Sequence, residues 1–261
     1  KTLDLLMTYN QDKVISSLNS PSSFSKNLSL LGNKGYNLTQ WAADRLPVPP
    51  GFIISTEIFR CWSVITRFDK ARDDFMGRIR EALSETEQLS GQRYGDPDNP
   101  LLLSVRSGGA VSMPGMMATI HNIGLNEEIV ESFARSSGLH YLAWDNYRRF
   151  LQSWAMTGGM GRESFQALMD AAKVKHGVEV KMQFTPGQMR DLALQYQKLI
   201  IASKIVIPED PWLQLVGAVE MVLQSWDTEK TQEYRSLMDV SEYWGTAVIV
   251  QTMVFGNFGG E

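Results

Sequence analysis

Apolar residues along the chain follow two rhythms. Leu101, Leu102 and Leu103 lead through Ser104 to Val105 as a short, nearly unbroken run, the pattern of a buried strand. Val248–Val254 alternates imperfectly, and its β-branched content suits an interior strand. Pro47, Pro49 and Pro50 force extended backbone ahead of a β-like run at Phe52, Ile53 and Ile54. Elsewhere the spacing is helical. Ile58, Cys61, Trp62, Ile65, Phe68, Phe75, Ile79 and Leu83 recur between charges, which predicts one helix over Thr56–Leu83 with Ser55 or Thr56 as its N-cap.

The section from Asn126 to Asp239 reads as mostly helical. Asn126 is placed to cap a helix whose first turn holds Glu127 and Glu128, and the stripe Leu142, Trp144, Tyr147, Phe150, Leu151 and Trp154 marks a core-facing side. Arg148 and Arg149, beside that stripe, are expected on a solvated or salt-bridged face. Thr185-Pro186 and Asp210-Pro211 open two more helices, and Gly158–Gly161 is an interhelical turn, since no strand precedes it. The pattern divides the chain at 1–125, 126–239 and 240–261, the middle part a helical subdomain and the last holding a strand-like run. Residues 1–29 carry only a small apolar cluster at Leu3, Leu5, Leu6 and Met7 and a breaker at Asn19–Ser23. The sequence stops directly after a strand-like run, so a fragment lacking its next strand, and of poor stability, is expected.

The chemistry sits where a strand ends. Arg106 closes the run from Leu101, and Ser107, Gly108 and Gly109 then leave the backbone bare. A guanidinium fork matches two phosphate oxygens, and glycine amides approach others without obstruction, although Ser-Gly-Gly after a strand is also what any tight turn looks like. A second anion candidate lies at Gly32-Asn33-Lys34-Gly35, a glycine turn feeding a helix start, where exposed N–H groups and Lys34 favour negative charge. It lacks the G-x-x-x-x-G-K-S/T spacing of a Walker A loop.

Composition narrows the partners. With 261 residues, a net charge of -4 and a pI near 5.5, the chain has no basic surplus for general nucleic-acid or anionic-membrane binding, so any anion site is a local concentration of charge. No apolar run reaches the ~18 residues needed to span a bilayer. The single cysteine, Cys61, excludes an internal disulfide, favours a reducing, cytoplasmic compartment, and is a poor nucleophile candidate on an apolar helix face. His121, His140 and His176 are too scattered for a metal site, and only His121, close after the glycine loop, could face a nucleotide.

Three stretches, Gly32–Leu38, Leu46–Phe52 and Leu103–Met117, together with Trp244–Asn257, closely resemble the amino-terminal region of the pyruvate, phosphate dikinase family. Ser112-Met113-Pro114-Gly115-Met116-Met117 is the most specific part. The resemblance implies an α+β fold of ATP-grasp type holding ATP between two lobes, 1–125 being the first and 240–261 a strand entering an incomplete second, with Lys34 and Arg106 on the phosphates as the catalytic cations and Ser107 to Gly115, including Gly108 and Gly109, as the loop over them. It places Gln251, Met253 and Val254 along the base pocket. It further implies Mg2+ held by carboxylates outside this chain. The implied reaction moves a pyrophosphoryl group from ATP to a histidine on another domain, with a pyruvate-binding domain beyond. The resemblance leaves room for a homodimer formed through those other domains. Two positions depart from the family: Asn33 stands where a glycine is usual, and Tyr36 where a small residue is usual. Two other readings stay open, another ATP-grasp dikinase with a different acceptor, and a regulatory or scaffold module without catalysis.

Overall fold

The computed structural model describes residues 10–20 and 22–255. The amino-terminal apolar cluster, Pro21 of the breaker segment and the residues after Phe255 lie outside that range. The described chain forms two compact units. One takes the residues up to Gly91, Ser104–Thr119 and those from Val219 on; the other takes Gln92–Leu103 and Ile120–Ala218. These limits do not coincide with the expected 125/126 and 239/240 boundaries. Val219–Asp239, expected with the helical part, clusters instead with the strands.

The first unit contains β1 (Ile15–Ser17), α1 (Leu28–Ala43), β2 (Gly51–Ile54), α2 (Thr56–Ile65), α3 (Asp69–Ser90), β3 (Leu103–Gly108, of which Leu103 counts with the second unit), α9 (Glu229–Leu237) and β5 (Ala247–Thr252). Its strands run in the order β1-β2-β5-β3. The pairs β1/β2 and β2/β5 are antiparallel, with Ile15 opposite Ile54 and Phe52 opposite Val250. Every residue of β2 is buried, as are Ala247–Gln251 of β5, because both lie inside the sheet. Leu18, Phe24, Leu31, Ile53, Ala247 and Ile249 make one core cluster, and Tyr36 packs against it. Tyr36 is thus a core-edge residue. β1 had no sequence signal: three residues among polar neighbours become a strand only by pairing with β2.

The single helix expected over Thr56–Leu83 is two helices, separated at Thr66, Arg67 and Phe68. Trp62 and Phe75 meet edge to face with ring centroids 6.3 Å apart. In one straight helix thirteen residues would span about 20 Å, so this contact requires the chain to fold back. Ser55, not Thr56, is the N-cap; its Oγ accepts from the Glu57 amide at 3.2 Å. Cys61 is fully buried, and burial, reinforced by the Glu57 carboxylate, pushes its thiol up to about 11, so it remains a thiol near neutrality.

The second unit begins with β4 (Thr119–Ile123, from Ile120) and continues through α4 (Glu127–Ser137), α5 (His140–Thr157), α6 (Arg162–His176), α7 (Pro186–Ala202) and the first part of α8 (Pro211–Gln224). The caps are those expected. The Asn126 side chain accepts from the Ile129 amide at 2.8 Å, and Thr185 with Gln188 forms a capping box. Trp144, Tyr147, Phe150 and Trp154 stack edge-on or tilted along α5 as buried core.

Of the solvated or salt-bridged face expected for Arg148 and Arg149, the salt bridge is what forms, both pairing with Asp145; what differs is that Arg148 and Asp145 are buried. Asp145 Oδ1 accepts from Arg148 Nε at 2.9 Å and Nη2 at 2.7 Å, while Oδ2 takes Lys181 Nζ at 2.8 Å and Arg149 Nε at 3.0 Å. Burial alone would raise the Asp145 carboxyl, but Arg148 and Lys181 outweigh it and hold the group below its usual value. A depressed carboxyl contributes stability that is present above its unfolded pKa and lost as pH falls through the folded value. Asp145→Ala, which strands buried Arg148, is expected to destabilise the fold by about 3–5 kcal/mol in urea unfolding near neutral pH. Asp145→Asn should flatten the acid limb of stability against pH; an unchanged limb would show that this carboxylate does not carry it.

Candidate functional site

Gly32 sets the first wall of the site. It interrupts α1 with φ 67 and ψ 168, a conformation open essentially to glycine alone, and its Cα lies against the backbone of Gly108. A Cβ on Gly32 would fall 1.6 Å from the Gly108 carbonyl oxygen. The next residue completes the joint, the Asn33 amide donating to the Gly109 carbonyl at 3.0 Å. The first amide of the resumed helix is therefore spent on the opposite loop. Asn33 itself is helical, and its Oδ1 accepts from Asn37 Nδ2 at 3.1 Å, so its replacement of the family's glycine takes up no special backbone freedom.

This backbone joint carries Lys34 to the glycine loop. Asn33, Lys34, Ser107, Gly109, Val111, Ser112, Met113 and Met117 enclose a hollow of about 50 Å³. That is far below the several hundred Å³ of a small-molecule pocket, so only a phosphate-sized group seats within it. The loop's outer part is braced from elsewhere in the same unit. Lys230 Nζ donates to the Gly115 carbonyl at 3.1 Å, Thr231 Oγ1 to the Met116 carbonyl at 3.2 Å, and the Ala118 amide to Ser225 Oγ at 3.2 Å. Residues more than a hundred positions away thus hold the loop, and no local sequence signal announces them.

Arg106 arrives from β3. Its Nη2 donates to Gln251 Oε1 on β5, while Gln251 Nε2 donates to the Pro49 carbonyl at 3.1 Å. Buried Gln251 is therefore a bracket between the guanidinium and the proline-extended segment before β2. The family resemblance implies a place for it along the base pocket; in the structure both ends of its amide are engaged, with Arg106 and with Pro49. Arg106 Nε is buried and has no hydrogen-bond partner among the described residues. A buried donor left unpaired costs about 1–3 kcal/mol, which an acceptor brought by a ligand would remove.

The two cations are electrostatically coupled. Burial lowers the Lys34 pKa, and the positive charge of Arg106 lowers it further; burial likewise lowers Arg106. Among the described residues neither forms an ion pair with a carboxylate. Two like charges, Lys34 exposed at the mouth of the hollow and Arg106 part-buried, without a carboxylate partner among the described residues, favour a polyanion.

The remaining candidates fall as follows. Ser107 is buried and lines the hollow with Gly109, whereas Gly108 supplies the contact with Gly32. Met253 and Val254 follow the end of β5, Met253 half-buried and Val254 exposed. His121 belongs to the second unit, where its amide donates to Ser153 Oγ at 3.1 Å. Glu127 and Glu128 occupy the first turn of α4, as capping acids do. The hollow is lined by no carboxylate, so its residues do not supply a donor set for Mg2+, and no group of three or more His, Cys, Asp or Glu among the described residues could hold a metal ion.

A helix broken at glycine that brings Lys34 to a phosphate-sized hollow, and a strand that carries Arg106 and, next to it, the hollow's Ser107, belong to an α+β nucleotide-binding lobe of ATP-grasp type; Arg106 itself is not among the residues that line the hollow. The chain belongs to the pyruvate phosphate dikinase, AMP/ATP-binding domain family, whose profile matches residues 71–260. Arg106 and Gln251 lie inside the matched stretch and Lys34 precedes it. The chain is 39% identical over 234 residues to pyruvate, phosphate dikinase of Clostridium symbiosum, covering 88% of this chain and 26% of that protein. It is 41% identical over 233 residues to the chloroplastic pyruvate, phosphate dikinase of Flaveria pringlei, with 88% and 24% covered. For the Rhizobium meliloti (strain 1021) enzyme the figures are 37% over 231 residues, 88% and 26%. The chain thus spans about a quarter of the length of these relatives.

Proposed function

We propose that this chain is the ATP-binding part of a pyruvate, phosphate dikinase-type phosphotransferase, and that Lys34 and Arg106 together hold the polyphosphate. The observation that carries this reading is that Lys34 lines the phosphate-sized hollow together with Ser107, the residue after Arg106, and that among the described residues neither cation has a carboxylate partner. Ser107 and the Gly108-Gly109 backbone cover the phosphates, and Met253 and Val254 run on toward the base. Gln251 fixes the direction of the guanidinium.

Phosphoryl-type transfer depends on position and on cations that meet the charge developing on the leaving oxygens, so the site needs no protein nucleophile. Lys34 and Arg106 supply that charge. In this proposal the pyrophosphoryl group passes to a histidine on another domain, and a pyruvate-binding domain completes the route to phosphoenolpyruvate. Carboxylates from outside the hollow would hold the Mg2+. The helical backbone of Asn33 gives the non-catalytic scaffold reading no support.

Calorimetric titration with ATP, AMP and adenosine tests the site. If two cations read the polyphosphate, ATP should bind about tenfold or more tightly than AMP, AMP more tightly than adenosine, and the spread should shrink with added salt. Adenosine binding as tightly as ATP would overturn the assignment.

A further inference from the structure

A second cavity, of about 400 Å³, lies wholly within the second unit and shares no lining residue with the phosphate hollow. Its volume falls in the range of small-molecule sites. Phe150, Leu151 and Ile200, all buried, form an apolar floor, and half-buried Ile205 and Ile207 extend it. Glu127, Glu128 and Glu209 stand exposed at its edge, and no Lys or Arg lines it. The lining is therefore hydrocarbon below and anionic above.

One buried polar group in this cavity is left open. Tyr147 is only 4% exposed, and its hydroxyl oxygen accepts a single long contact, from Gln197 Nε2 at 3.4 Å. Its own proton finds no acceptor among the described residues. Burial first, and then Glu127 and Glu209, push the phenol well above its usual pKa, so the hydroxyl stays neutral and can donate or accept. By contrast Gln214, at the same cavity, is fully engaged: Oε1 takes the Gly124 amide and Nε2 donates to the Leu125 and Pro208 carbonyls. Gln214 is satisfied, whereas the Tyr147 hydroxyl, in the same lining, keeps capacity for a further hydrogen bond.

We infer that this cavity binds a small organic ammonium compound, its apolar body on Phe150 and Ile200 and its cationic head among Glu127, Glu128 and Glu209. A carboxylate guest would meet three like charges, and a neutral guest would gain the floor and Tyr147 but nothing from the carboxylates. The Tyr147 hydroxyl oxygen, held only by the long contact from Gln197, can accept from the ammonium N–H. The site lies outside the nucleotide-binding reading, and the two stand or fall separately.

The probes are 2-phenylethylammonium, 2-phenylethanol and phenylacetate, which share a body and differ in head charge. Titrated into the chain and followed by NMR, the ammonium should bind with a Kd below about 1 mM. It should exceed the alcohol by about fivefold or more, with the carboxylate weakest. In the double variant Glu127→Gln and Glu209→Gln, the advantage over the alcohol should fall to within about twofold. Affinity for the alcohol should hold, which shows the pocket intact; both substituted positions are solvent-exposed, and the amide oxygen that Glu127→Gln introduces can still accept from Gln197. No ammonium binding at millimolar concentration, equal affinity for ammonium and carboxylate, or a preference that survives the double substitution would each overturn the proposal.

Discussion

Arg106→Ala is expected to weaken ATP binding by roughly tenfold or more, since a hydrogen bond to a charged group contributes about 1.5–3 kcal/mol. The fold should tolerate the change, because the side chain is only part-buried and its hydrogen-bond partner among the described residues is Gln251. The alanine variant carries a second signature. Lys34 is lowered by burial and then by Arg106, so removing the guanidinium should let its pKa rise. Binding requires protonated Lys34, so ATP affinity should fall as pH rises on the alkaline side. In the variant that fall should move to higher pH. Gln251→Leu, which frees the guanidinium from its bracket to the Pro49 carbonyl, should lose a smaller part of the affinity while leaving the alkaline limb in place. Calorimetry across a pH series measures all three. Unchanged affinity in Arg106→Ala would remove this residue from the site.

Gly32→Ala is expected to be the most disruptive substitution in the first unit. Alanine must adopt φ 67 and ψ 168, at a cost of about 1–3 kcal/mol, and its Cβ must displace a backbone carbonyl, which no side-chain adjustment can accommodate. The joint would open, breaking the Asn33 to Gly109 hydrogen bond and moving Lys34 away from Ser107. A loss of at least about 2–5 kcal/mol in urea unfolding, together with loss of ATP affinity, is the anticipated outcome. Gly77 supplies the control. It lies inside α3 with open space at its Cβ position, so Gly77→Ala should stabilise the chain by about 0.5–1 kcal/mol. If both alanines behave alike, the Gly32–Gly108 contact has no energetic weight.

Legibility varied with the range of the interaction. Caps at Ser55, Asn126 and Thr185 are decided within three residues, by a side-chain oxygen reaching a nearby amide; Asn126 and Thr185 were readable from their own neighbourhoods, and Ser55 as one of two adjacent candidates. Buried β2 and β5 announced themselves by apolar content alone. β1 did not, because its pairing with β2 supplies what its residues lack. The helix break at Thr66–Phe68 escaped for a similar reason: the contact that rewards it joins Trp62 to Phe75 across the turn.

The same division holds for the site. The sequence by itself determined which chemistry the chain carries, Lys34 beside glycines and Arg106 ahead of Ser107-Gly108-Gly109, since residue type fixes charge and backbone freedom; it ended the strand too early, for β3 runs on through Ser107 and Gly108 by pairing within the sheet. Only the tertiary structure decided how these are used. It turned Gln251 toward Arg106, left Arg106 Nε without a partner, buried Arg148 on Asp145, and set Gly32 against the Gly108 carbonyl. Each of those pairings except Arg148 with Asp145 joins residues far apart in the chain. For Arg148 the pairing is local but its burial is not, because desolvation is set by whatever elements close over a group. Side-chain identity is local information, whereas the partner and the dielectric around it are properties of the folded whole.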